Sequence, residues 1–198
     1  MQVTFNGNLF PERFNCQILY PTEIAKYFLK EKQYDDVEEI CYYALLDHMG
    51  HPRMRRELFN YAFHSSILGK SEISSFLKKC AKVVSQYHPC ELVRGICLDQ
   101  IEISDIPTDD FPLLSFDYQK LFGDSMGGGY LSEDKKIHGI PSNNEESWTF
   151  SNRLLSFSDE TGTKTSIYNK KLSLNGSTYY AGYFVETCIC HILKKTEQ

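Results

Sequence analysis

The sequence predicts an α+β fold: an N-terminal array of about five helices, then a C-terminal antiparallel β-meander of about three or four strands. Three observations carry this. Between positions 21 and 98 apolar residues recur at helical spacing, with Pro and Gly punctuating them. From Trp148 onward they fall into short strand-like runs. Between these lies an acidic, turn-rich connector (SDIPTDDFP, 104–112). The expected units are a mainly helical one over 1–103 and a β-rich one with a glycine-rich loop over 104–198, either separate or packed as one domain.

In order, Val3-Thr4-Phe5 reads as a short strand closed by the Asn6-Gly7 turn. Phe14, Cys16, Ile18 and Tyr20 alternate, which suggests a second one. A helix follows Pro21, with Thr22 as the expected N-cap and Ile24, Tyr27 and Phe28 as its stripe. The next is the clearest. Tyr34, Val37, Ile40, Cys41, Ala44, Leu45 and His48 share one face of a 3.6-residue helix. Asp35, Asp36, Glu38 and Glu39 crowd its first turns, where the helix dipole favours negative charge. Gly50 and Pro52 stop it. From Arg53 to Leu68 the pattern is apolar on two sides, the mark of a helix buried between neighbours, and Gly69 ends it. Ser71 is the expected N-cap of a helix with the stripe Ile73, Phe76, Leu77, Cys80, Val84 and Tyr87. Lys78, Lys79 and Lys82 face outward, and Pro89 closes it. A last helix runs from Glu91 to about Leu98.

His51-Pro52 and His88-Pro89 both close long helices, and Ala44 matches Ala81 at the same offset. The run from Tyr34 to Leu45, ending at Pro52, has an aromatic start, an Ala-Leu near its end and a closing proline. It resembles the second helix of a tetratricopeptide repeat, over about residues 21–89. It departs from that pattern in lacking a glycine before Tyr34 and in placing Val37 where a small residue is usual. The resemblance implies a concave groove that holds a peptide. The alternative is a plain bundle of helical hairpins.

In the second half, Ile101-Glu102-Ile103 alternates like a strand. Residues 113–122 are open between strand and short helix, and Ser125 to Glu146 reads as loop. Leu154 to Phe157, Thr165 to Tyr168, Leu172 to Leu174 and Thr178 to Val185 are strand-like. Asp159 to Gly162 and Asn175-Gly176 are hairpin turns, and Cys188 to Leu193 is a final strand or a short helix.

A formal charge of −5 speaks against non-specific nucleic-acid binding, which needs a basic field. Met1 to Phe10 lacks the apolar core of a signal peptide, and no run reaches the roughly 20 apolar residues of a membrane span. Seven cysteines, an odd number without disulfide-scaffold spacing, read as thiols in a reducing, cytoplasmic compartment. A protein delivered into a host cell would share this profile.

Gly123-Asp-Ser125-Met-Gly127 matches the G-x-S-x-G nucleophile elbow, with His138 as a base and Asp159 to orient it. An elbow needs a strand before the serine and a helix after it, whereas Gly128 and Gly129 start helices poorly. The bland reading of Gly127, Gly128 and Gly129 is a glycine-rich loop, which can still bind a partner. Cys188-x-Cys190-His191 looks like metal-ligand chemistry if His88 and Cys90 complete a zinc set, against buried core cysteines as the alternative. His48-x-x-His51 beside Cys41 lacks a fourth ligand. The bland reading of Arg53, Arg55, Arg56 and the outward lysines is a solvated face.

The functional expectation is a soluble protein-interaction module, an adaptor or an inhibitor, which a host or rival protein as target would also fit. Its partner would be another protein or a peptide, with neither membrane nor nucleic acid involved and no cofactor predicted. It rests on the helical array and the abundance of Tyr and Phe, 13 of each, with Tyr42 and Tyr43 as binding candidates. The alternatives are a small hydrolase using Ser125 or a cysteine nucleophile, and a zinc-stabilised binding module.

Overall fold

The structure, a computed structural model, describes residues 4–5, 8–9, 20–47, 51–87, 90–107, 116–120, 125–131, 137–138, 147–151, 153–159 and 162–195. The chain divides into two compact units, Met1–Ile101 and Glu102–Gln198. The division falls just before the expected connector, because Glu102–Asp105 pairs into the sheet of the second unit. An N-terminal helical array followed by an open antiparallel sheet is the α+β order that the sequence predicts.

The first unit begins with a small hairpin. Strands β1 (Thr4–Phe5) and β2 (Asn8–Leu9) pair Phe5 with Asn8, leaving the Asn6-Gly7 positions between them. Helix α1 (Pro21–Lys30) has Pro21 at its first position, where a fixed φ and a missing N–H cost nothing. Its N-cap is therefore Tyr20, not Thr22, and no side chain caps it. Helix α2 (Tyr34–Asp47) buries most of the expected stripe: Val37, Ile40, Cys41, Ala44 and Leu45 are fully covered, Tyr34 is half-buried, and His48 lies outside the described residues. It packs against α1, α3, the π-helical segment and α4, so it is the hub of the unit.

Helix α3 (Pro52–Phe63) is buried almost continuously from Leu58, as its two apolar sides require. It does not stop at Leu68. The chain widens into a π-helical segment, His64–Lys70, closed by Ser71 in the left-handed region at φ 61°. Ser71 thus ends one helix rather than capping the next. Helix α4 (Ser75–Ser85) is capped instead by Ser74, whose hydroxyl accepts from the Leu77 N–H at 3.0 Å. Helix α5 (Glu91–Cys97) packs on α4. Tyr87, expected in the α4 stripe, is largely exposed beyond the helix end, with the Arg55 guanidinium over its ring at 4.1 Å. The second alternating strand expected before Tyr20 lies outside the described residues.

The second unit is larger in sheet than the sequence suggests: its described residues form nine strands, against an expected three or four. They are β3 (Glu102–Asp105), β4 (Phe116–Lys120), β5 (Ser125–Leu131), β6 (Ile137–His138), β7 (Ser147–Ser151), β8 (Leu154–Asp159), β9 (Gly162–Leu174), β10 (Ser177–Phe184) and β11 (Cys190–Lys195). The order is β6-β5-β4-β11-β10-β9-β8-β7, with β3 added on β9. The two strand runs expected at 165–168 and 172–174 are one 13-residue strand. Its first half pairs with β8 and its second half with β3 along one edge, while β10 takes the other edge. The Asn175-Gly176 hairpin forms as expected, with φ of 50° and 81° matching a type I′ turn.

At Gly182 the β9–β10 register slips by one residue, leaving Asn169 unopposed. A Cβ at Gly182 would lie 2.3 Å from the Ile167 carbonyl oxygen, so the bulge demands glycine. Tyr179 and Tyr180 are adjacent in sequence and both buried, so both faces of the sheet are covered at β10. After β10 the chain turns through Cys188, at φ 60°, before β11 begins at Cys190. The ending is therefore a strand preceded by a turn, not a helix.

Candidate functional site

One face of α2 meets two different polar arrangements on its neighbours. Near its start, Glu38 is 1% exposed in a stripe of apolar side chains. Burying a carboxylate is costly unless a cation meets it. Lys70, at the end of the π-helical segment, supplies the cation. Its Nζ lies 2.8 Å from Asp35, 2.9 Å from Glu38 and 3.2 Å from Glu72. The Glu38 contact is an ion pair lying outside the angles of a hydrogen bond. Burial pushes the Glu38 carboxyl above its ordinary value, against the Ser74 hydroxyl and Lys70, which pull it down. Burial alone would lower Lys70, but its hydrogen bond to Asp35 and its ion pair with Glu38 hold it above the usual lysine range. Ser66 ties the next loop in place: its hydroxyl donates to the Glu72 carbonyl at 2.6 Å and accepts from the Ser74 N–H at 3.0 Å. Three carboxylates thus surround one ammonium, with Glu38 Oε1 held by charge rather than by a hydrogen bond, the chemistry of a structural clasp.

One turn further along α2, at Glu38 plus four, stands Tyr42. Its ring centroid is 5.5 Å from that of Tyr43 and 5.8 Å from that of Phe76 on α4. All three side chains are half-buried. Lys79, one turn beyond Phe76, holds its ammonium 5.0 Å from the Phe76 centroid and 5.4 Å from the Tyr42 centroid. That is cation–π geometry. No carboxylate among the described residues pairs with Lys79. Its neighbour Lys78 does have one, Asp99 at 2.8 Å. The α2–α4 seam therefore sets three half-buried rings beside a cation that no acid among the described residues neutralises. Of this group the sequence pointed to Tyr42 and Tyr43. Phe76 was assigned to the core stripe, and Lys79 to a solvated face.

The proposed Ser125 triad is not brought together. Ser125 opens β5, opposite Gln119 of β4, and the residues from Ser125 to Leu131 are strand rather than helix. Gly127, Gly128 and Gly129 lie within β5, Gly128 opposite Asp117 and Gly129 opposite Phe116, so the loop reading is corrected over Ser125–Leu131. His138 faces Tyr130, five residues on from Ser125, on the order of 16 Å along the strand. Asp159 is on β8, and four strands (β4, β11, β10 and β9) stand between it and β5.

Family models, curated proteins and solved structures give no match to the chain. The site is therefore read from its own chemistry.

Six cysteines fall among the described residues and none is in a disulfide. Burial pushes Cys41, Cys80, Cys90, Cys97 and Cys190 above the ordinary thiol value, the direction opposite to an activated nucleophile. Cys90 serves as the N-cap of α5, its Sγ accepting from the Val93 N–H at 3.5 Å. Cys188 and Cys190 are buried, and the neighbouring His191 stacks edge-on against Phe184 at 3.7 Å. Among the described residues, no three His, Cys, Asp or Glu side chains gather as metal donors. His88 and His48 lie outside the described residues. No helix among those residues is long and apolar enough to cross a membrane. An open cleft of about 440 Å³ lies where α1 and α3 begin, with Arg53 and Glu57 of opposite charge among its lining.

Proposed function

We propose that this protein is a protein-interaction module, an adaptor or an inhibitor, whose helical unit engages its partner through the α2–α4 seam. The observation that carries the reading is the half-exposed Tyr42–Tyr43–Phe76 cluster under Lys79. Aromatic rings held rigidly at a surface give contact area at little cost in side-chain entropy, and aromatics are enriched among binding hot spots. The thiol chemistry supports a reducing compartment such as the cytoplasm.

The test is capture from a lysate of the native source, with full-length protein as bait and Tyr42→Ala and Phe76→Ala variants beside it. The reading expects a stoichiometric protein partner that the wild type retains and both variants lose, with their folds unchanged by circular dichroism. A partner held equally by the variants would move the interface elsewhere. No partner on folded bait would end the reading.

A further inference from the structure

Resting on that reading, we infer that the partner segment seated on the α2–α4 seam is acidic: a stretch of another protein that sets an Asp or Glu carboxylate beside an apolar or aromatic side chain. The charge pattern of the seam selects this occupant. Some lysines of the described residues are held by carboxylates and others are not. Lys70 meets three carboxylates, Lys78 meets Asp99, and Lys170 of β9 meets Asp105 of β3. Lys79 meets only the Tyr42 and Phe76 rings. Lys82 follows Lys79 by three residues on the same exposed side of α4, and no carboxylate of the described residues pairs with it either. In a chain of net charge −5, this is a strip of uncompensated positive charge bordering an aromatic surface.

The geometry explains how such a segment would sit. The rings hold one side of the Lys79 ammonium, fixing the long side chain in place before a partner arrives. The side turned to solvent remains open to a carboxylate. An apolar side chain of the same segment would cover Tyr42 and Phe76, excluding water and strengthening the ion pair beside them.

The test uses full-length protein and random linear peptides displayed on phage, followed by affinities of selected synthetic peptides. The expected winners carry Asp or Glu next to Trp, Tyr, Phe or Leu. Their affinity should fall about tenfold with Lys79→Met, which keeps the stem over the rings and removes the charge, and further with Lys79→Glu. Rising salt should weaken the wild type towards the Lys79→Met value. Lys79 is exposed, so its variants keep the test sound even if Tyr42→Ala disturbs packing.

Peptides that need Tyr42 but bind Lys79→Met as tightly as wild type would overturn the acidic chemistry and leave the interaction reading standing. Peptides indifferent to both residues, or no enrichment at all, would overturn both. Self-association blocked by Lys79→Glu, or preferential binding of a single-stranded oligonucleotide, would give the seam a different occupant and overturn the inference.

Discussion

Lys70 and Lys79 are two cations against the same helix, and they do opposite things. Lys70 is clasped by Asp35, Glu38 and Glu72, and its side chain is 19% exposed. Lys79 stands over two rings with its charge left to solvent. The first arrangement offsets the burial of Glu38 and joins α2 to the π-helical segment and the loop before α4. The second joins nothing that a buried acid requires. The difference separates a charge that the fold needs from a charge that the fold leaves available. A surface lysine contributes little stability, whereas removing the partner of a buried carboxylate is expensive.

The largest effect that separates the two comes from Lys70→Met. It leaves Glu38 buried without its cation, and the expected loss is about 3 kcal/mol by urea denaturation. A loss under about 0.5 kcal/mol, the range of ordinary surface substitutions, would erase the distinction between the two lysines. Next comes Gly69→Ala. A Cβ there would lie 2.6 Å from the Tyr34 ring, in the residue beside Lys70 and against the residue beside Asp35. The Tyr34 ring must give way, at an expected cost of about 1–2 kcal/mol. Combined with Lys70→Met, the two losses should fall short of additive, because both act on the same clasp.

A third, smaller effect is a pH dependence confined to the clasp. The folded Glu38 carboxyl titrates above its ordinary value near 4.5. The folded state therefore binds more protons than the unfolded one in the weakly acid range above that value. The stability this group contributes is present below 4.5 and lost as pH rises through the folded value. Denaturation midpoints measured across weakly acid pH should fall with rising pH by an amount that Glu38→Gln removes. An unchanged slope in the variant would mean that the Lys70 pairing fully compensates the burial.

How much of this was legible in the sequence depends on how local each cause is. The α2 stripe, the stops at Gly50 and Pro52 and the Asn175-Gly176 turn rest on neighbouring residues, and the burial pattern of α2 and the hairpin follow them. The cap lies at Tyr20, two residues before Thr22, because the proline takes the first helical position and the cap must precede it. Ser71 and Ser74 are equally good caps by type, and only the left-handed turn at Ser71 separates them. The triple glycine read as loop because glycine has poor strand propensity, yet β5 is paired on both edges, by β4 and β6. Both polar sites were hidden for a different reason. Asp35 and Lys70 are 35 residues apart, and Tyr42 meets Phe76 only because α2 packs on α4. No spacing rule encodes those meetings. Tyr42 and Tyr43 were visible as an aromatic pair on a helix, but the cation that gives them a chemical preference was not.

The smallest effect makes the sharpest test of the comparison. Lys79→Met removes a charge with no acid partner among the described residues and keeps the hydrocarbon stem over Tyr42 and Phe76. The cation–π contacts at an exposed site are worth about 0.5–1 kcal/mol, and the methionine sulfur against the same rings recovers part of that. The unfolding midpoint in urea should therefore move by less than about 0.5 kcal/mol, beside the far larger loss expected for Lys70→Met. If Lys79→Met instead costs as much as Lys70→Met, the cation is holding α4 onto α2, and the seam is a structural joint rather than a surface kept for a partner. If it costs nothing, a conformational reason for keeping an unpaired ammonium over two half-exposed rings disappears, and recognition is what remains to account for it.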